Sequence, residues 1–121
     1  MVLILGGKGA GKRAYVRSLG YGEPEMNRDI SSDAPVVTDL EETVREAPEE
    51  AEKLLGTLLT KEVVICCEVG SGVIPLSAED RRFREETGRL TVRLAQEAES
   101  VVRVVAGIPT AIKGELPCRR S

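Results

Sequence analysis

The residues with the clearest chemical potential stand near the start of the chain. Gly6-Gly7-Lys8-Gly9-Ala10-Gly11-Lys12-Arg13 follows the apolar run Val2 to Leu5. Gly6, Gly11 and Lys12 fall in the register Gly-x-x-x-x-Gly-Lys-[Ser/Thr] of a phosphate-binding P-loop. A phosphate needs several backbone N–H donors converging on it with little side-chain bulk in the way. Glycines permit that, and the helix after the loop adds the positive end of its dipole. Lys12 would then reach the β- and γ-phosphates of a nucleoside triphosphate as a mobile cation. The last position departs from the pattern. Arg13 stands where Ser or Thr would place a hydroxyl on Mg2+. A guanidinium cannot ligate a metal, so a bound Mg2+ would lose one ligand. Arg13 either pairs with phosphate oxygens itself or is a surface arginine in the first helical turn.

Two acids complete the candidate set. Glu68 closes the strand Glu62 to Cys67, whose apolar residues end in an acid as those of a Walker B strand do. Such a carboxylate holds Mg2+ or orients the attacking hydroxyl. The alternative is a carboxylate that only hydrogen-bonds the loop from Val69 to Pro75. Asp39, at the end of another apolar run, competes for the metal role. The expected sites are therefore Gly6, Gly7, Lys8, Gly9, Ala10, Gly11, Lys12 and Arg13 for nucleotide (GTP or ATP), Lys12 and Glu68 for catalysis, and Glu68 and Asp39 for metal. Arg13 leaves Mg2+ itself open.

These residues need elements to place them. Val2 to Leu5 reads as a buried strand ended by Gly-Gly, and Lys12 to about Leu19 as a short helix. Residues 20–34 are polar with Gly, Pro, Asn and Ser, and are expected to form a mobile loop. Pro35 to Leu40 is a second strand. Glu41 to Ala47 starts a helix, and Pro48 opens a fresh one with Ala51, Leu54, Leu55, Leu58 and Leu59 on its apolar face. Its acids Glu49, Glu50 and Glu52 suit a solvated helix start. Glu62 to Cys67 is the third strand. Ser77 can cap the next helix with Asp80 three residues on. Phe83, Thr87, Leu90, Leu94 and Ala98 make one buried stripe along it, with Glu85–Arg89 and Arg93–Glu97 as surface pairs. Val101 to Ala106 is a fourth strand, whose Arg103 reaches solvent or a partner. Residues 107–112 can pair at an edge, and 114–121 form a loose tail. Strands alternating with helices specify an α/β domain, a parallel sheet covered on both faces. Ligands bind such sheets beyond the carboxyl ends of the strands, where Gly6–Lys12, Asp39 and Glu68 all fall.

Composition narrows the function. The 121 residues fit one domain, and 41% apolar with 31% charged residues fits a soluble globular chain. No apolar run is long enough to cross a bilayer, and Met1 to Leu5 lacks the basic start of a signal peptide, so a cytoplasmic protein is expected. A net charge of -3 and only Tyr15, Tyr21 and Phe83 as aromatics argue against nucleic acid as a partner. Cys66, Cys67 and Cys118 form neither a C-x-x-C pair nor an even set. Cys66 and Cys67 read as buried small hydrophobes in a reducing compartment. Histidine is absent from the sequence. That removes Ser-His and Cys-His pairs, histidine metal ligands and any nucleotidyl-histidine intermediate.

The second half carries a resemblance. Glu68-Val69-Gly70-Ser71-Gly72-Val73-Ile74-Pro75 resembles the Glu-Val-Gly-x-Gly-Ile-Val-Pro segment of the bifunctional adenosylcobinamide kinase/adenosylcobinamide-phosphate guanylyltransferase family of cobalamin biosynthesis. Arg81, Phe83, Arg84, Gly88, Arg89, Arg93 and Leu94 continue the likeness, as do Val104-Val105-Ala106-Gly107-Ile108-Pro109 and Lys113. Gly6, Gly7, Gly11 and Lys12 match the family's loop. The likeness covers about residues 1–19 and 62–114. It implies a three-layer P-loop NTPase-like fold with a mostly parallel central sheet, assembly as a homo-oligomer, and phosphorylation and guanylylation of a corrinoid. The departures are as informative. The family's guanylylated histidine belongs between the first helix and the Pro35 strand, a stretch that is short and histidine-free here. Arg13, Gly9 and Ala10 replace a serine, an arginine and a serine of the family loop, and Thr91-Val92 replaces an Asn-Gln pair. The expectation is a shortened relative that keeps at most the phosphotransferase half. The alternative is a catalytically silent binder of nucleotide or corrinoid acting as a regulatory or accessory subunit.

Overall fold

A computed structural model describes residues 1–69 and 77–120. The glycine-bearing loop expected after Glu68 lies for the most part outside the described residues. In chain order the elements are β1 (Val2–Gly6), α1 (Lys12–Ser18), β2 (Met26–Asn27), β3 (Val36–Val37), α2 (Leu40–Glu46), α3 (Leu55–Leu58), β4 (Val63–Cys67), α4 (Ala78–Glu97), β5 (Ser100–Val105) and β6 (Ile108–Lys113). They form one sheet in the order β2-β3-β4-β1-β5-β6. Neighbours run parallel except β6, which returns antiparallel beside β5.

The continuous apolar runs of β1, β4 and β5 follow from burial on both faces. Leu3, Val64, Cys66 and Val101 face one core with Val37, Leu40, Leu58, Phe83, Leu90 and Leu94. Val2, Ile4, Val63, Ile65, Val102 and Val104 face the other with Val16, Leu19, Tyr21 and Met26. The sheet is therefore the middle of three layers, as its alternating sequence predicts. Each fully buried Val or Leu contributes roughly 1.5–3 kcal/mol, so β1 at the centre is the best-anchored base for a loop.

The long helix follows its expected pattern. Ser77 Oγ accepts from the Asp80 amide at 3.0 Å and starts α4. Phe83, Thr87, Leu90, Leu94 and Ala98 are all buried. Its surface pairs differ from expectation. Arg89 pairs with Glu86 at 2.8 Å, Arg84 with Asp80 at 3.2 Å, and Arg93 reaches Glu52 at 3.9 Å. Positions three and four apart are equally near on a helix, so spacing alone does not choose between them.

The remaining segments are less regular. The helix expected from Pro48 is a 3-10 segment, Pro48–Leu54, running into the short α3. Ala51 and Leu58 are buried, while Leu54, Leu55 and Leu59 are only partly covered. Residues 20–34 hold a 3-10 turn at Glu23–Glu25 and the two-residue strand β2. Tyr21, Met26 and Ile30 are buried there, single apolar anchors too sparse to show periodicity. In the tail, Ser100 Oγ donates to the Glu115 carbonyl at 2.8 Å. Arg120 stacks on the Tyr21 ring at 4.0 Å and its amide donates to the Leu19 carbonyl at 2.9 Å.

Candidate functional site

The loop between β1 and α1 is shaped by close backbone approaches. A Cβ on Gly6 would lie 2.6 Å from the Val104 carbonyl oxygen, so only glycine fits between β1 and β5 there. Gly9 and Gly11 take left-handed φ values of 75° and 96°. Left-handed residues interspersed with right-handed ones turn successive amides toward one side, the geometry of an anion-binding nest. The β5–β6 turn braces the loop. Ala106 and Gly107 have φ values of 50° and 76°, and the Gly107 amide donates to the Ala10 carbonyl at 2.8 Å. A Cβ on Gly11 would meet Gly107 Cα at 3.2 Å.

Lys12 curls back onto this loop. Its ammonium donates to the Gly7 carbonyl at 2.6 Å and to Cys67 Sγ at 3.3 Å. The residue is only 8% exposed. Cys67 sits at the end of β4 and is half-buried, so it does more than fill space. Cys66 behaves as expected: burial, with the Glu41 charge adding to it, pushes its thiol well above the ordinary range. The Cys67 amide donates to Glu41 Oε1 at 2.9 Å, and Glu41 is itself buried.

A cleft of about 670 Å3 opens beside the loop. Lys8, Lys12, Arg13, Arg17 and Arg45 bring cations to it, and Asp39, Glu41, Glu42 and Glu68 bring carboxylates. An adjoining cleft adds Arg84 and Arg103. Arg45 lines both and stacks 3.9 Å over the Phe83 ring, which fixes its position. The structure thus brings every sequence-identified residue from Lys8 to Arg13, with Asp39 and Glu68, to the walls of one cleft. Gly7 lines the adjoining one.

The acids are engaged by arginines. Glu68 accepts two bonds from Arg103, at 2.8 Å from Nε and 3.1 Å from Nη2. This fork geometry raises the guanidinium pKa further above its ordinary value. Asp39 lies 3.7 Å from Arg13 Nη1, and Arg13 Nη2 donates to Glu23 at 2.9 Å. Arg17 bonds the other Glu23 oxygen. The hydrogen bonds from Arg13 and then Arg17 hold the Glu23 carboxyl below its usual range. Mg2+, which P-loop folds ordinarily use, does not fit this donor set. The hydroxyl is replaced by a cation, and both candidate carboxylates already face guanidinium groups. Among the described residues no cluster of three or more Asp, Glu or Cys side chains could hold a metal ion.

The family described as cobinamide kinase / cobinamide phosphate guanyltransferase matches residues 23–112. The chain belongs to this family. The match starts after α1, so the glycine loop lies outside it, whereas it takes in residues 23–61, where the sequence reading found no likeness. The bifunctional adenosylcobalamin biosynthesis protein CobP of Pseudomonas aeruginosa is 39% identical over 61 residues, 50% of this chain and 35% of that protein. The proteins named CobU from Salmonella typhimurium and Escherichia coli are each 43% identical over 53 residues, 44% of this chain and 29% of theirs. The chain spans about a third of the length of these curated relatives. No helix among the described residues is long and apolar enough to cross a membrane.

Sequence reasoning missed Glu41, Arg45 and Cys67. The first two are four residues apart on α2, directly after Asp39, so helical spacing places them on one face. Nothing in the spacing shows that this face meets the loop.

Proposed function

We propose that this family member binds a nucleoside triphosphate, GTP or ATP, on Gly6–Arg13 and serves cobalamin biosynthesis with at most the phosphotransferase half of the bifunctional activity. The observation that carries the reading is Lys12, buried and folded back onto Gly7 at 2.6 Å within a loop shaped by Gly6, Gly9 and Gly11. A phosphate entering the loop would exchange the Gly7 carbonyl for its own oxygens as partner of the ammonium. In turnover Lys12 would stabilise charge on the transferred phosphoryl group. Glu68, released from Arg103, would orient the acceptor hydroxyl of a corrinoid. No guanylyl-histidine step is open to this sequence, which holds no histidine.

The pairing of Glu68 with Arg103 and of Asp39 with Arg13 favours a second reading, nucleotide or corrinoid binding without turnover. Mixing the protein with adenosylcobinamide and GTP or ATP separates the two. A phosphorylated corrinoid supports the phosphotransferase; nucleotide-dependent thermal stabilisation with no product supports the silent binder. In both, Lys12→Ala removes the stabilisation, and an unchanged response in that variant rejects the loop as the site. Assembly as a homo-oligomer belongs to the same proposal and is checked by light scattering.

A further inference from the structure

The geometry points to nucleotide binding that does not need Mg2+, with the Arg13 guanidinium standing between Asp39 and the phosphates in place of the metal. This rests on the loop being the phosphate site. A carboxylate facing a polyphosphate repels it unless a cation intervenes, which is the ordinary service of Mg2+ in such folds. Here the cation is built in. Arg13 directly follows Lys12 and lines the same cleft, 43% of its side chain exposed. Asp39 is a charge contact at 3.7 Å and Glu23 takes a hydrogen bond at 2.9 Å. A guanidinium carries five N–H donors, so these two acids leave donors for phosphate oxygens. Glu68, the other acid able to recruit a metal, is held by both prongs of Arg103. Mg2+ in such sites keeps several waters and takes one or two carboxylates beside the phosphate oxygens, and here both carboxylates face guanidinium groups whose charge adds repulsion. The ligand class that follows is a di- or triphosphate whose capture needs no protein-bound metal, recognised by Lys8, Lys12 and Arg13.

Calorimetric titration with GTP, ATP and pyrophosphate, in excess MgCl2 and in EDTA, tests this. Wild type should bind its best probe equally well in both, within about threefold. Arg13→Ser restores the hydroxyl and should bind at least about tenfold more tightly with Mg2+ than in EDTA. Arg13→Lys keeps a cation and should stay indifferent to Mg2+. A wild-type preference for Mg2+ of tenfold or more overturns the inference while leaving the nucleotide site standing. An Arg13→Ser variant with a native circular dichroism spectrum and no Mg2+ preference also overturns it. If none of the three probes binds wild type in either buffer, the nucleotide reading falls and the inference with it.

Discussion

The glycine loop and the acidic rim facing it share one cleft but are held by different physics. The loop is set by main chain: Gly6 against the Val104 carbonyl, Gly11 against Gly107, and the Gly107 amide on Ala10. Its base is a central strand buried on both faces. The rim is set by side chains. Glu68 and Asp39 on the cleft, and Glu23 beyond its lining, are partly exposed and paired with Arg103, Arg13 and Arg17. Backbone geometry of the first kind changes only if the sheet changes. Ion pairs of the second kind rearrange at little cost, since exposed pairs contribute roughly 0–1 kcal/mol. The departures from the P-loop pattern follow the same division. Gly6, Gly11 and Lys12 are kept where the fold demands them, and the substitution falls at Arg13, on the soft side.

The largest effect should come from violating the backbone side. Gly6→Ala places a methyl group where the Val104 carbonyl stands, 2.6 Å away, so β1 and β5 must separate. Overpacking of that kind costs about 1–3 kcal/mol. Urea denaturation should show that loss together with lost phosphate binding; stability within about 0.5 kcal/mol of wild type would mean the strands yield more easily than their packing implies. Next comes Glu41, the one acid of the cleft buried enough to count structurally. Glu41→Leu strands the Cys67 amide without its 2.9 Å acceptor and should cost about 1–3 kcal/mol. Glu41→Gln keeps an acceptor oxygen and should recover most of that. Equal losses in both variants would assign the effect to charge rather than to the hydrogen bond.

The division also explains what could be read from sequence. The three main strands, the capped α4 with its stripe from Phe83 to Ala98, and the Gly6–Lys12 loop were legible because period, caps and glycine positions are local codes. The strand β2 was not, because its two residues, Met26 and Asn27, carry no period. The rim was legible only as a set of candidates. Nothing in the spacing of Glu68 and Arg103, or of Arg13 and Asp39, says that they meet. Those pairs are made by parallel strands and a turn that bring distant positions together. The Cys67–Lys12 contact is of the same kind, since Cys67 pairs with Gly6 across the sheet.

Changes on the rim should be smaller. Arg103→Ala removes both bonds to Glu68, whose side chain is 27% exposed and that of Arg103 53%. The expected loss is well below that of Gly6→Ala and shrinks in high salt. A loss comparable to that of Gly6→Ala would erase the distinction between the two sides. Urea denaturation at low and high ionic strength measures it.

The smallest effect is that of Glu23, and its sign with pH is definite. Arg13 and Arg17 hold its folded pKa below the ordinary 4.5. A depressed carboxyl stabilises the fold above the unfolded pKa and loses that contribution as pH falls through the folded one. The melting-temperature difference between wild type and Glu23→Gln should therefore be full at neutral pH. It should start to shrink near the ordinary carboxylate value and vanish only below it. A difference that is constant down to that range and below, or that grows on acidification, would show that Glu23 is not charged against Arg13. The same variant reports on the cleft. With Glu23 neutral, Asp39 at 3.7 Å is the carboxylate that still faces Arg13, and the guanidinium charge is less compensated toward the loop. Phosphate affinity at neutral pH should then rise by a small factor while stability falls slightly, which ties the soft rim to binding and not to folding.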